Sequence, residues 1–311
     1  MNRPNRTANS VKNERTFCTE ADSSGNTAEA IIPSRQPNTY FNHIFMETGY
    51  PKTSLQSTVS LKNQLFRVIL NFMIKNLLFA GKDFPAGEKY FSAAADTGLT
   101  ALITGNSNTD DTDENPHMLL WNRGSIVSAR SLVIQAENLV TSIDAACLIF
   151  DGSYFSSLYK DSNSNSSQEA ANDLIVSYQF ISRALMERFL QKKQGRLIFL
   201  LKPSLTAAEA FKKKSDAAAY SETAGAVLSA AQSAFETYAE NFACLYAESA
   251  PEKTMLIRAG SESDEDIAAF VLKKLASEDE KSVQKKNTRD PVKWISVSGK
   301  EEGALSFFKR F

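Results

Sequence analysis

Histidine and cysteine are both scarce in this chain, at two and three residues among 311. Cys18, Cys147 and Cys244 stand far apart with no CxxC pair, and His43 and His117 are isolated, so neither a disulfide framework nor a zinc site can be assembled from them. That cysteine usage fits a reducing cytoplasm. Excess charge of one sign is missing too: 35 Lys and Arg balance 36 Asp and Glu, leaving a net of −1 and no positive field to draw in nucleic acid. Long apolar runs are also wanting. The most hydrophobic stretch, Phe66 to Ala80, contains Arg67, Asn71, Lys75 and Asn76 and falls short of the roughly 20 apolar residues that a membrane span needs. Arg3, Arg6, Lys12 and Arg15 are followed by no apolar h-region, which argues against a secretory signal. The acidic run Asp111 to Asn115 begins like a calcium loop, but Pro116 and Asn122 stand where such a loop requires Gly and Glu.

What remains, 42% apolar and 23% charged residues, is the composition of an ordinary globular protein. Twenty of the first forty residues are Asn, Ser, Thr, Gln, Gly or Pro without apolar periodicity, so residues 1–54 read as a disordered polar tail before a single domain over 55–311. Leu61, Leu65, Val68, Ile69, Phe72 and Met73 then recur at helical spacing and predict an extra amphipathic helix. Beyond it, seven short apolar runs read as buried strands: Leu77 to Ala80, Thr100 to Thr104, Met118 to Trp121, Ala145 to Phe150, Leu197 to Leu201, Met255 to Ile257 and Trp294 to Val297. Helical patterns fall at Gly87 to Thr97, Ser128 to Thr141, Ala170 to Gln191, Ala218 to Glu248 and Asp264 to Leu275, the last opened by a capping-box-like Ser263 and Asp266. Strand and helix in turn predict an α/β, Rossmann-like doubly wound parallel sheet of about seven strands.

The order of these elements, with the residues at their junctions, resembles the short-chain dehydrogenase/reductase family over about Lys75 to Lys300. Leu77 to Gly87, with Gly81 and Gly87, looks like the first strand and the TGxxxGxG phosphate turn. Ala145 to Gly152 looks like the fourth strand and its NNAG turn, and Gly195 to Phe199 is similar to the fifth strand. Tyr220 to Val227 looks like the YxxxK helix. The resemblance implies NAD(P) binding, with an active-site Tyr, Lys and Ser.

Against that pattern the departures are consistent. Pro85 takes the middle glycine position of the phosphate turn, adding bulk and removing an N–H. Thr104, Gly105 and Asn106 supply neither an acid for the ribose nor an Arg for a 2′-phosphate, and Asn122 stands for the Asp after the third strand. Ala224 replaces the Lys four residues after Tyr220, while Lys202 closes the fifth strand where Ser is expected. Arg258-Ala259-Gly260 runs almost directly into the last helix, with no lobe to close over substrate.

The reading is a protein that has lost catalysis, with Tyr220 a vestigial acid, Gly81, Gly87 and Asn122 vestigial cofactor contacts, no metal and no required cofactor. The alternative is an NAD(P)-dependent oxidoreductase with a rearranged site, in which Lys202 or one of Lys212 to Lys214 reaches Tyr220. A partner role is expected because Val227, Leu228, Phe235, Tyr238, Phe242, Leu245 and Tyr246 form a broad apolar stripe. In the resembled family, the helices here at 170–191 and 218–248 commonly form a dimer interface. A homodimer or a heteromer with an active relative is therefore expected, with neither nucleic acid nor membrane as partner.

Overall fold

The computed structural model describes residues 74–105, 117–160, 164–215, 218–247, 254–281, 293–298 and 301–302. The expected polar tail at 1–54, the helix at 61–73, His43 and the acidic run at 111–115 lie outside them.

One sheet runs through the described residues in the order β3-β2-β1-β4-β5-β6-β7-β8. Its strands are β1 (Asn76–Phe84), β2 (Thr100–Gly105), β3 (Met118–Leu120), β4 (Ala145–Asp151), β5 (Arg196–Lys202), β6 (Thr254–Arg258), β7 (Trp294–Ser296) and β8 (Glu301–Glu302). All neighbours are parallel except β7 and β8, which pair antiparallel through Ile295 with Glu301 and Trp294 with Glu302. The seven expected strands are present. The eighth is a correction, since two adjacent glutamates carry no strand signal.

A parallel sheet is buried on both faces, so each apolar run feeds two cores alternately. Leu78, Ala80, Ala146, Leu148, Phe150, Leu197, Phe199 and Leu201 point to one core, while Leu77, Phe79, Ala145, Cys147, Ile149, Ile198 and Leu200 point to the other. The first core is covered by α2 (Ile126–Val140), α5 (Ser177–Lys192) and α7 (Leu228–Tyr246), the second by α1 (Glu88–Asp96) and α8 (Asp264–Lys281). No helix among the described residues is long and apolar enough to cross a membrane.

Three helical expectations change. Asp151-Gly152, read as a turn, starts α3 (Gly152–Leu158), because the Asp151 carboxylate accepts from the amides of Ser153 and Tyr154 at 3.0 and 3.1 Å and caps that helix. Residues 207–213, for which no helix was expected, form α6 (Ala207–Lys213), which carries Lys212 and Lys213 in its last turn and is fixed by a Thr206–Glu209 capping box. The helix expected from Ala170 begins earlier, as α4 (Ser164–Ala171) joined to α5 by a π turn at Asn172–Val176. In α8 the start is as expected, with Ser263 Oγ accepting from the Asp266 amide at 3.2 Å, and the helix continues past the expected Leu275 to Lys281.

The first core centres on an aromatic cluster in which the Phe235 ring lies 4.8 Å from Tyr178, 5.2 Å from Phe150 and 5.9 Å from Phe199. Phe235 thereby locks α7 to β4, β5 and α5 at once. Phe235→Ala is expected to lower stability by about 3–5 kcal/mol, read as a drop in the urea midpoint at unchanged slope.

Candidate functional site

Strand order reverses between β1 and β4, and the crevice outside the carboxyl ends of those strands is where doubly wound folds place ligands. The glycine-rich stretch that opens this crevice does not turn where the resemblance implies. β1 advances from Phe79 to Phe84 while its partner β2 advances only from Ile103 to Gly105, so the extra residues bulge and carry Lys82 and Asp83 into the crevice. Gly81 makes this path possible at φ 111°. A Cβ there would strike the carbonyl oxygen of Ile149 and sit 2.6 Å from the Tyr178 hydroxyl.

Lys82 is buried, and its ammonium donates to Asp151 at 2.6 Å and to Asp264 at 2.5 Å. Asp151 closes β4 and Asp264 opens α8, so one lysine joins segments that are 69 and 182 residues away. Asp264 also accepts from Lys202 at 2.7 Å and from the Tyr90 hydroxyl at 3.3 Å. Burial alone would lower the Lys82 pKa, but the hydrogen bonds to Asp151 and Asp264 outweigh it and the pKa is raised. Burial alone would raise the Asp264 pKa, yet Lys202 and Lys82 outweigh it and the carboxyl is held below its ordinary value. The Tyr90 hydroxyl is pushed up by burial and then by the Asp264 charge, so it stays a protonated donor.

A second buried pair sits beside the first. Arg123 Nη2 donates to Asp83 at 2.7 Å and to the carbonyl oxygen of Gly81 at 2.7 Å, and the guanidinium lies 5.2 Å from the ring centres of both Trp121 and Phe155. The Thr104 hydroxyl donates to the other Asp83 oxygen at 2.6 Å. At the start of α1, the Gly87 amide bonds to the Asp83 carbonyl at 2.9 Å and the Glu88 amide to that of Pro85 at 3.0 Å. Gly87 is needed for packing, since a Cβ would collide with the Lys82 carbonyl oxygen and lie 2.7 Å from Ile103.

The residues present do not fit a dinucleotide pyrophosphate in this crevice. Three carboxylates, Asp83, Asp151 and Asp264, face the region where phosphate charge would come, and the cations among them already have carboxylate partners. The Gly87 and Glu88 amides at the start of α1 are engaged by backbone.

The expected chemical groups are not brought together. Tyr220 lies on a 3₁₀ turn, Ala218–Tyr220, rather than on the long helix, and its hydroxyl donates to the Ala210 carbonyl at 3.1 Å. Lys202 turns to Asp264 instead, and Lys212 to Lys214 are exposed on α6 and its cap. Ala224 is buried in a π turn, Glu222–Val227. Asn122 is exposed and donates only its amide, to Ser128 at 2.9 Å, while its neighbour Arg123 enters the crevice. Sequence reasoning missed Lys82, Asp83, Arg123, Asp151 and Asp264 as one constellation. The available signal was an unpaired charge at the carboxyl end of each of several buried strands. No group of His, Cys, Asp and Glu among the described residues is arranged to hold a metal.

No family model matches the chain. An uncharacterised protein of Treponema pallidum (strain Nichols) is 28% identical over 193 residues, covering 61% of this chain and 75% of that protein. Among solved structures, a short-chain dehydrogenase from Mycobacterium smegmatis covers 74% of this chain and 93% of its own at 12% identity and a TM-score of 0.49. A short-chain dehydrogenase/reductase-family oxidoreductase from Brucella ovis, in complex with a partially ordered NAD, covers 67% and 95% at 8% identity and a TM-score of 0.46. The strand order β3-β2-β1-β4-β5-β6 is that of a doubly wound, Rossmann-like sheet. Chemistry does not follow from that likeness.

The charged bridge sets a pH window for stability. A carboxyl lowered in the folded state, as in Asp264, contributes stability that is present above its unfolded pKa of about 4 and lost as pH falls through the folded value. A raised amine, as in Lys82, contributes stability that is present below about 10.4 and lost as pH rises through its folded value. Asp264→Asn is expected to cost about 1–3 kcal/mol near neutral pH and to shrink the loss on acidification below about pH 4, measured by denaturant titrations across pH.

Proposed function

We propose that this chain no longer performs hydride transfer and serves as a non-catalytic partner, either in a homodimer or in a heteromer with an active relative of the same fold. The observation that carries this reading is the Lys82 bridge to Asp151 and Asp264, which commits the crevice's own cation to the crevice's own carboxylates. Three further features support it. The Tyr220 hydroxyl is engaged by Ala210, Ala224 offers no ammonium, and Lys202 is held by Asp264 rather than beside the phenol. The cytoplasm is the compartment proposed, where free Cys147 and Cys244 stay reduced.

The partner surface assigned to this role is the outer face of α7. Its large residues turn inward: Leu228, Phe235 and Phe242 are buried, and Val227, Tyr238 and Tyr246 pack against the same core, so the broad stripe read from the sequence serves its own sheet, apart from exposed Leu245. What faces out is small and uncharged, namely Ala230, Ser233, Thr237 and Asn241. Small residues let a second helix approach closely, and depletion of charge marks the centre of interfaces.

Thermal-shift titrations with NAD and NADP test the loss of cofactor use. No stabilisation is expected, whereas a ligand at 100 times its Kd would add about 2.7 kcal/mol. NAD(P)H oxidation that disappears in Tyr220→Phe would overturn the reading in favour of a working oxidoreductase. For the interface, Thr237→Arg is expected to shift the sedimentation profile toward monomer while leaving the melting temperature within about 2 °C, because exposed helix positions tolerate such changes.

A further inference from the structure

Beyond the ends of β4, β5 and β6 opens a cleft of about 800 Å³, large enough for a small-molecule ligand. Its walls come from α3, the 203–206 segment leading into α6, the first turns of α7 and the 260–261 segment before α8. It lies beside the charged crevice and shares only Lys202 with it, whose ammonium is turned to Asp264.

Part of the hydrogen-bonding capacity of this cleft is engaged within the protein. Its carboxylates are committed: Glu236 holds the Arg258 guanidinium, and Glu209 closes the capping box with Thr206. The carbonyl oxygen of the Gln232 amide accepts from the backbone of Ser204 at 3.0 Å. Donors are left over. The Lys160 ammonium, Gln232 Nε2 and the hydroxyls of Ser153, Ser156, Ser204 and Ser261 have no side-chain partner among the described residues. None of the described lining residues is aromatic, so no ring is offered for stacking a base or a nicotinamide.

A polar cleft with an idle ammonium and idle hydroxyls, which both donate and accept, favours a ligand of hydroxyls with one oxyanion, because each of its oxygens would gain a partner without displacing an internal bond. A single unpaired ammonium suits one oxyanion group, and the serines suit hydroxyls along a short chain. From this we infer that the cleft binds a small polyol carrying one oxyanion group, with Lys160 taking the charged end and Ser153, Ser156 and Ser204 reaching the oxygens beyond it. This site is independent of the partner role above and holds whether or not the neighbouring crevice accepts a dinucleotide.

The test is calorimetric titration of the full chain with four probes: glucose 6-phosphate, gluconate, glucose and inorganic phosphate. Saturable binding of either oxyanion-bearing polyol, with glucose and inorganic phosphate at least about tenfold weaker, is the expected result. Which of the two binds tighter distinguishes a phosphate from a carboxylate head. Lys160→Gln and Ser204→Ala should each weaken that binding by about tenfold, and Lys160 is exposed, so its variant keeps the parent melting temperature. Failure of both polyols to bind at about 10 mM would overturn the inference. So would equal binding of inorganic phosphate alone, or an affinity that Lys160→Gln leaves unchanged.

Discussion

A lysine ammonium buried between two carboxylates is the constraint on which the site end of this fold depends. Lys82, Asp151 and Asp264 come from the end of β1, the end of β4 and the start of α8, and no two of them are close in sequence. Taking any one away leaves a desolvated charge without its counterpart, which costs far more than the intact group contributes over an apolar replacement. With Lys202 on the other oxygen of Asp264, two positive and two negative charges close into a neutral set. The set ties the second core's α8 to the central strands at the point where the sheet reverses direction. It also places negative groups at the mouth where a doubly wound fold would otherwise offer amides and a positive helix end.

The same end of the sheet thus holds two neighbouring regions of opposite character. In the crevice, Lys82 and Arg123 are each matched by a carboxylate, and Arg123 also by a backbone carbonyl, while its Nη1 has no partner among the described residues. In the cleft, Glu209 and Glu236 are matched and the donors around them are not. The division follows from where the chain leaves each strand. β1 overshoots its turn and delivers a lysine and an aspartate inward, whereas β5 leaves through Pro203 and Ser204 and opens a wall of small polar residues. On the proposed reading, a scaffold that no longer reacts keeps a place for a small polar ligand beside its former reaction centre.

The sheet was legible in the sequence because a strand buried on both faces must be apolar at every position, and the runs at 77–80, 145–150 and 197–201 have no other economical use. Strand β8 was not legible, since its two glutamates pair by backbone alone. Helices α3 and α6 were hidden for a different reason. Asp151 and Thr206 are caps, and a cap announces a helix only when an apolar period follows, which seven-residue helices are too short to display. The departures from the oxidoreductase pattern at Pro85, Ala224 and Lys202 were visible one by one. The charged set that fills the crevice was not, because Lys82, Asp151 and Asp264 each have an ordinary local explanation as a turn residue, a cap and a helix-start acid. Only the fold brings both carboxylates within 2.6 Å of the Lys82 ammonium. Arg123 shows the same limit: sequence reasoning stopped at Asn122, one residue short of the side chain that enters the crevice.

Within this network no single replacement leaves every remaining charge paired. Removing the Lys82 side chain leaves Asp151 and Asp264 with Lys202 alone, a net negative group that repels phosphate more strongly than the neutral set did. Removing Asp151 frees the lysine on one side but strips α3 of the carboxylate that holds the Ser153 and Tyr154 amides. Removing Asp83 strands Arg123 in a buried pocket between Trp121 and Phe155. Residues that share partners in this way change energy together rather than additively, so reopening the crevice requires several substitutions at once, each unfavourable alone. The bulge of β1 adds a geometric constraint to the electrostatic one: the extra residues after Phe79 carry Lys82 and Asp83 inward, and Gly81 packs against the Ile149 carbonyl with no room for a Cβ.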